Sequence, residues 1–154
     1  MSVNDVEGGA GSYGVDDLAD FLIGRWSVDR RVEDRLLNVK HHFSGVAEIS
    51  YERDDIWYRE TGVFRVQGAE LVSAQARRYV PQSSAVVDVY FADGRFFHNL
   101  DLRDGTWCCV HLCGSDRYEG ETSAHDVDHW TTLWRVTGLQ KNLTLITHYR
   151  RRAG

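Results

Sequence analysis

The side chains with the most chemistry to offer fall in one stretch, His98 to Tyr118, reading HNLDLRDGTWCCVHLCGSDRY. It holds imidazoles, thiols, carboxylates and a phenol. Its Asp104-Gly105 pair predicts a tight turn between two adjacent β-strands. His111 is the first candidate for general acid–base work, because an imidazole titrates near neutrality and Asp116 or Asp88 on a neighbouring strand would orient it. Tyr58, Tyr90 and Tyr118 could position a carbonyl or enolate oxygen by hydrogen bonding, with Tyr79 as a further contact. Glu60, in the alternating run Tyr58-Glu60-Gly62, is a second candidate base, and burial in a lumen would raise its pKa. The bland alternative is that these groups satisfy one another and fix a core.

Other chemistries meet obstacles. His98, His111, Cys113 and Asp116 are zinc-ligand types, with His111 and Cys113 at i, i+2 on one strand face. No CxxC or HExxH spacing accompanies them, and His41-His42 and His125-X3-His129 fall in or near expected loops. Haem on a single axial His is a related alternative. Cys113 as a nucleophile would need an oxyanion hole that no motif supplies. Lys141, beside the Gly138 turn, is expected to pair or stack at a cavity mouth rather than to form a Schiff base. His98, Cys113, Trp134 and Lys141 therefore join Tyr58, Tyr79 and Tyr90 as expected ligand contacts. There is no phosphate-binding glycine loop and no triad order.

The elements that must carry these residues are nearly all strands. Asp16-Asp17 opens a short apolar-periodic segment with Leu18, Phe21 and Leu22 on one stripe, which predicts a helix capped by Gly24. From Arg25 on, alternation and turn signals predict nine or ten short strands; Trp26, Val28, Arg30 and Val32 share one face of the first. Phe96, His98, Leu100 and Leu102 are read as one face, as are Trp107, Cys109, His111 and Cys113, and Trp130, Thr132, Trp134 and Val136. Faces mixing aromatics with His, Cys and Thr suit a cavity lining better than a solid aliphatic core. Gly114 and Gly120 are expected to mark bulges. An open sheet of this size would leave exposed edges, so an all-β antiparallel barrel is expected, with a two-sheet sandwich as the competing architecture.

At 154 residues the chain fits one domain, expected over 15–152 after a Gly-rich tail over 1–14. A net charge of −5 argues against nucleic acid as the main partner, because phosphate binding needs a basic face. No apolar run approaches the roughly 18 residues a membrane helix needs. The start lacks the features of a signal peptide, and three Cys do not make a disulfide framework, so a cytoplasmic, reduced protein is expected.

Gly24-Arg25-Trp26 at the start of the first strand and Tyr149-Arg150 at the end of the last resemble the Gly-X-Trp motif and C-terminal Arg of lipocalin-like (calycin) barrels, where the Arg stacks across the Trp. More specifically, Phe97-His98, His111-X-Cys113-X2-Asp116-X-Tyr118 and Trp134-X-Val136-X-Gly138-X2-Lys141 resemble a bacterial and fungal family of lipocalin-like domains of unknown function, over about residues 19–151. Leu139 stands where that family's pattern has Pro. The resemblance implies the barrel and a lined pocket, and implies no reaction. The expected function is a cofactor-independent enzyme of isomerase, cyclase or lyase type acting on a small organic molecule, in a monomer or homodimer. The alternatives are a non-catalytic binder of a small hydrophobic ligand and a haem- or metal-binding barrel.

Overall fold

The computed structural model describes residues 13–153; most of the tail expected over 1–14 lies outside them. The order is α1 (Leu18–Leu22), β1 (Gly24–Asp34), β2 (Val39–Glu52), β3 (Asp55–Val66), β4 (Ala69–Pro81), β5 (Val86–Phe91), β6 (Phe96–Asp101), β7 (Thr106–Cys113), β8 (Asp116–Asp126), β9 (His129–Thr137) and β10 (Asn142–Arg151). All ten strands lie in one antiparallel sheet of order β6-β5-β4-β3-β2-β1-β10-β9-β8-β7. The chain meanders, and β1 pairing with β10 wraps the sheet into a barrel. The competing sandwich does not form. The barrel is nearly closed: β6 and β7 are the two sheet edges, and Trp107 spans them by donating its indole N–H to the Asn99 carbonyl at 2.9 Å.

One end is plugged by α1. Asp17 caps the helix by accepting from the Asp20 N–H at 3.1 Å, and Leu18, Phe21 and Leu22 are buried in the barrel end. Trp26 donates its indole N–H to the Leu22 carbonyl at 2.8 Å. The cation stacked on Trp26 is Arg151, 4.2 Å from the ring, and not Arg150. Strand alternation explains the correction: Tyr149 and Arg151 share a face, so Arg150 turns outward. Arg151 also donates to the carbonyls of Phe21 and Ile23 at 2.9 and 3.2 Å, capturing the free C-terminal carbonyls of α1. Gly24 is not the helix cap, which is Ile23; it opens β1 with φ +140°, where a Cβ would stand 2.8 Å from the Arg151 guanidinium.

Three further expectations are corrected. β7 and β8 pair without a break through Cys109 and Gly120, so Gly120 marks no bulge, and Gly114 sits in the turn between those strands. Register shifts lie instead between β8 and β9, at Ala124 and Asp126, and between β5 and β6, where Val89 opposes His98 and Tyr90 opposes Phe96. The extra residue on β6 turns Phe96 outward and brings Phe97 and His98 both inward. Where β2 and β3 pair Gly45 with Gly62, the Phe43 ring lies over both, and a Cβ on Gly62 would stand 2.6 Å from it. G62A is therefore expected to destabilise the fold by roughly 1–3 kcal/mol by overpacking, read as a lowered urea midpoint at unchanged slope.

Candidate functional site

The inner faces of the strands leave a cavity of about 250 Å³. Its distance from the plugged end is set by layers: Trp130 meets Trp26 edge-on and stacks on Tyr149 at 3.8 Å, and the polar group stands beyond. That group is centred on Glu60, only 2% exposed. Arg30 forks onto it, donating to its two carboxylate oxygens at 2.7 and 2.9 Å, while Gln75 donates at 2.9 Å and the Tyr58 hydroxyl at 2.5 Å. Arg30 also donates through Nε to Thr147 Oγ1 at 2.8 Å, and the Tyr58 and Tyr149 hydroxyls lie 2.9 Å apart. Desolvation is the largest single influence on Glu60 and pushes its pKa up, as burial predicts. The hydrogen bonds and charge of Arg30, with Tyr58 and Gln75, outweigh it, and the net shift is downward. The expected rise is thus corrected: Glu60 is a pinned carboxylate. Burial raises the pKa of Tyr58, Tyr79 and Tyr149, so these phenols stay protonated and serve as hydrogen-bonding groups.

A second arginine enters the cavity from β4. Arg77 is half-buried, donates to its neighbours' Ala76 carbonyl at 3.0 Å and Gln75 amide oxygen at 3.2 Å, and lies over the Phe91 and Phe97 rings at 5.1 and 5.7 Å. No carboxylate among the described residues forms an ion pair with it. The wall beside it is aromatic: Phe97 is stacked between Phe91 at 4.4 Å and Trp134 at 4.9 Å, and Trp134 in turn lies on Gly120, where a Cβ would stand 2.5 Å from the indole. Gly120 therefore sets how deep that indole sits.

His98 lies against this stack, 4.7 Å from the Phe97 ring and 5.2 Å from the Trp134 ring. Its Nδ1 is 2.8 Å from the Asn99 carbonyl, which can only accept, so Nδ1 carries the proton and Nε2 holds a free lone pair. Burial, with the Arg77 and His111 charges adding to it, lowers its pKa to about 4. The ring is neutral at physiological pH.

Of the residues singled out in the sequence, Tyr58, Glu60, Tyr79, His98, Tyr118 and Trp134 line the cavity. His111 lies near the seam, its ring edge-on to Phe91, Phe97 and Tyr118 at 5.4 to 5.9 Å. Neither proposed carboxylate hydrogen-bonds it. Asp116 is held at the rim by Lys141 at 3.0 Å. Asp88 and Tyr90 stand on the outer face, because Val87 and Val89 take the inner positions of β5, and Tyr90 packs against Phe96 and under Arg78. Cys113 is exposed at the end of β7. His98, His111, Cys113 and Asp116 do not converge, and no group of three or more His, Cys, Asp or Glu among the described residues is arranged to hold a metal ion.

Sequence reasoning passed over Arg30, Gln75 and Arg77. Arg30 carried a signal: an arginine between Val28 and Val32 on an otherwise apolar face. Arg77 did not, since its neighbour Arg78 faces outward to pair with Asp55 at 2.9 Å and alternation alone does not say which of the two is inside.

Residues 22–151 match a family of unknown function, DUF6314, and the chain belongs to that family. The sequence matches no curated protein. Among solved structures, the S-type phycobiliprotein lyase of Guillardia theta superposes with a TM-score of 0.65 at 8% identity, over 100% of this chain and 99% of that one. A protein of unknown function from the DUF3598 family of Nostoc punctiforme superposes with a TM-score of 0.53 at 14% identity, over 86% of this chain and 48% of that one. At these identities the likeness is one of fold. No helix among the described residues is long and apolar enough to cross a membrane.

Proposed function

We propose that this DUF6314 member binds a small organic molecule inside its barrel. The observation that carries the reading is the cavity itself, with an ionised, hydrogen-bonded group on one side and stacked aromatic rings on the other. Concave sites with apolar walls and a few fixed polar groups are how proteins hold small ligands. At about 250 Å³ the space lies just under the ~300–1,000 Å³ of pockets for drug-sized molecules, which favours a compact ligand. The Trp26–Arg151 stack supports a lipocalin-like ancestry, and three free cysteines support a reducing, cytoplasmic setting. The proposed assembly is a monomer or homodimer.

A second reading, an enzyme of isomerase, cyclase or lyase type needing no cofactor, is favoured by one observation. His98 offers an open Nε2 beside a cationic guanidinium, so it could accept a proton from a substrate oriented by Arg77 and the Tyr118 hydroxyl. Its pKa of about 4 makes it a weak base, which ranks binding first.

The test is a native mass spectrum of the purified protein beside its denatured mass, with tryptophan emission followed as small aromatic compounds are titrated. Trp130 and Trp134 line the cavity, so an occupant changes their emission. A retained organic mass or a saturable emission change is expected. A bare chain whose emission no compound alters would sink the binding reading.

A further inference from the structure

The cavity is unbalanced in both charge and hydrogen bonding. Arg30 and Glu60 cancel, which leaves the Arg77 guanidinium as the one uncompensated charge among the lining residues. Its contacts with Gln75 and Ala76 use part of its fork, and its stack on Phe91 and Phe97 neutralises nothing. Trp130 holds its indole N–H buried with no acceptor among the described residues. The lining thus has donors to spare and is short of one negative charge. Unpaired buried donors and charges are costly, and a ligand that satisfies them gains what the empty protein lacks.

Resting on the binding reading above, we propose that the ligand is a small aromatic monocarboxylate, its carboxylate paired with Arg77 and its ring against Phe97 and Trp134. A planar carboxylate fits the guanidinium fork with two parallel hydrogen bonds. One negative charge balances the cavity, whereas a phosphate dianion would overshoot it. Phe97 is stacked between Phe91 at 4.4 Å and Trp134 at 4.9 Å, so Phe97 and Trp134 offer the cavity the apolar edges of a fixed stack, within reach of the Arg77 cation that lies near Phe97. His98 Nε2 accepts a hydroxyl or N–H on the ligand ring, so a phenolic acid is favoured over an unsubstituted one.

Calorimetric titration of the full chain with 4-hydroxybenzoate and 3-phenylpropanoate, each beside its isosteric amide, tests this. The acids are expected to bind at least about 10-fold more tightly than the amides, the scale of one charge-assisted pair, and R77Q should erase that preference. Ligand-free R77Q should melt within a few degrees of wild type, because the uncompensated charge it sheds offsets the hydrogen bonds and ring contacts it loses. Acids and amides bound alike, or a preference that survives R77Q, would overturn the carboxylate assignment and leave the binding reading standing. Binding of none of the four compounds would overturn the carboxylate assignment, and the native mass spectrum would then decide the binding reading separately. A marked fall in the R77Q melting temperature would assign Arg77 to the fold and overturn the assignment.

Discussion

Replacing Arg30 with Met is expected to lower thermal stability by about 3–5 kcal/mol, or roughly 10 °C in melting temperature. The reason is what remains. Glu60 is 2% exposed and Arg30 7%, so neither has water to fall back on. R30M strips Glu60 of a two-pronged donor and leaves a carboxylate that must stay ionised at a cost or take up a proton. E60Q produces the opposite orphan, a buried guanidinium, and should cost a similar amount. The R30M/E60Q double variant is expected to recover much of the loss, because a buried ion pair and an uncharged replacement of similar volume are close in stability. Additive losses across this cycle would show that the two residues act independently and that their 2.7 Å contact carries no coupling. The acid side of the argument has a definite sign. The folded pKa of Glu60 lies below its unfolded value, so its contribution is present above about pH 4.5 and is lost as pH falls through the depressed value.

The architecture was legible in the sequence for a physical reason. Strand period and turn chemistry are local, so Asp93-Gly94 marks the β5–β6 hairpin and Trp26, Val28 and Val32 announce an inner face by alternation alone. Asp104-Gly105 does make the expected turn, but the two strands it joins, β6 and β7, are the sheet edges and form no hairpin ladder. A barrel's inside and outside are not local. Asp88 and Tyr90 share a face with each other, but Val87 and Val89 are the better residues to bury, and only the closed sheet decides the contest. The bulge beside Tyr90 changed the reading of β6, bringing Phe97 inside and turning Phe96 out while His98 and Leu100 keep the inner face. Glu60 was recognised while Arg30 was not, because the pair is made across the barrel from β1 to β3, with no direct ladder between those strands. The same geometry separates His111 from Asp116: they lie on paired strands, yet Asp116 turns to Lys141 at the rim.

Acidification should destabilise the protein through His98, and H98N should remove that part of the response. Burial, then the Arg77 and His111 charges, hold His98 at about pKa 4, while an unfolded histidine titrates near ~6.5. Between those values the unfolded chain binds a proton that the folded chain does not, so stability from this residue is complete above about pH 6.5 and declines as pH falls towards 4. The full difference amounts to about 3 kcal/mol. His129, also held at about 4 chiefly by burial, adds its own slope on the outer face beside His148, as does Glu60 at the acid end. Those terms are common to both proteins, so the wild-type advantage over H98N should shrink by about 3 kcal/mol from pH 7 to pH 4 in urea titrations. An advantage that stays constant would mean that His98 titrates as a solvated side chain. The same measurement bears on the ligand. A carboxylate seated on Arg77 offsets one of the charges that hold His98 down, so at saturation the His98 pKa should rise and its share of the acid slope should flatten. The slope would be unchanged if the bound acid sat elsewhere.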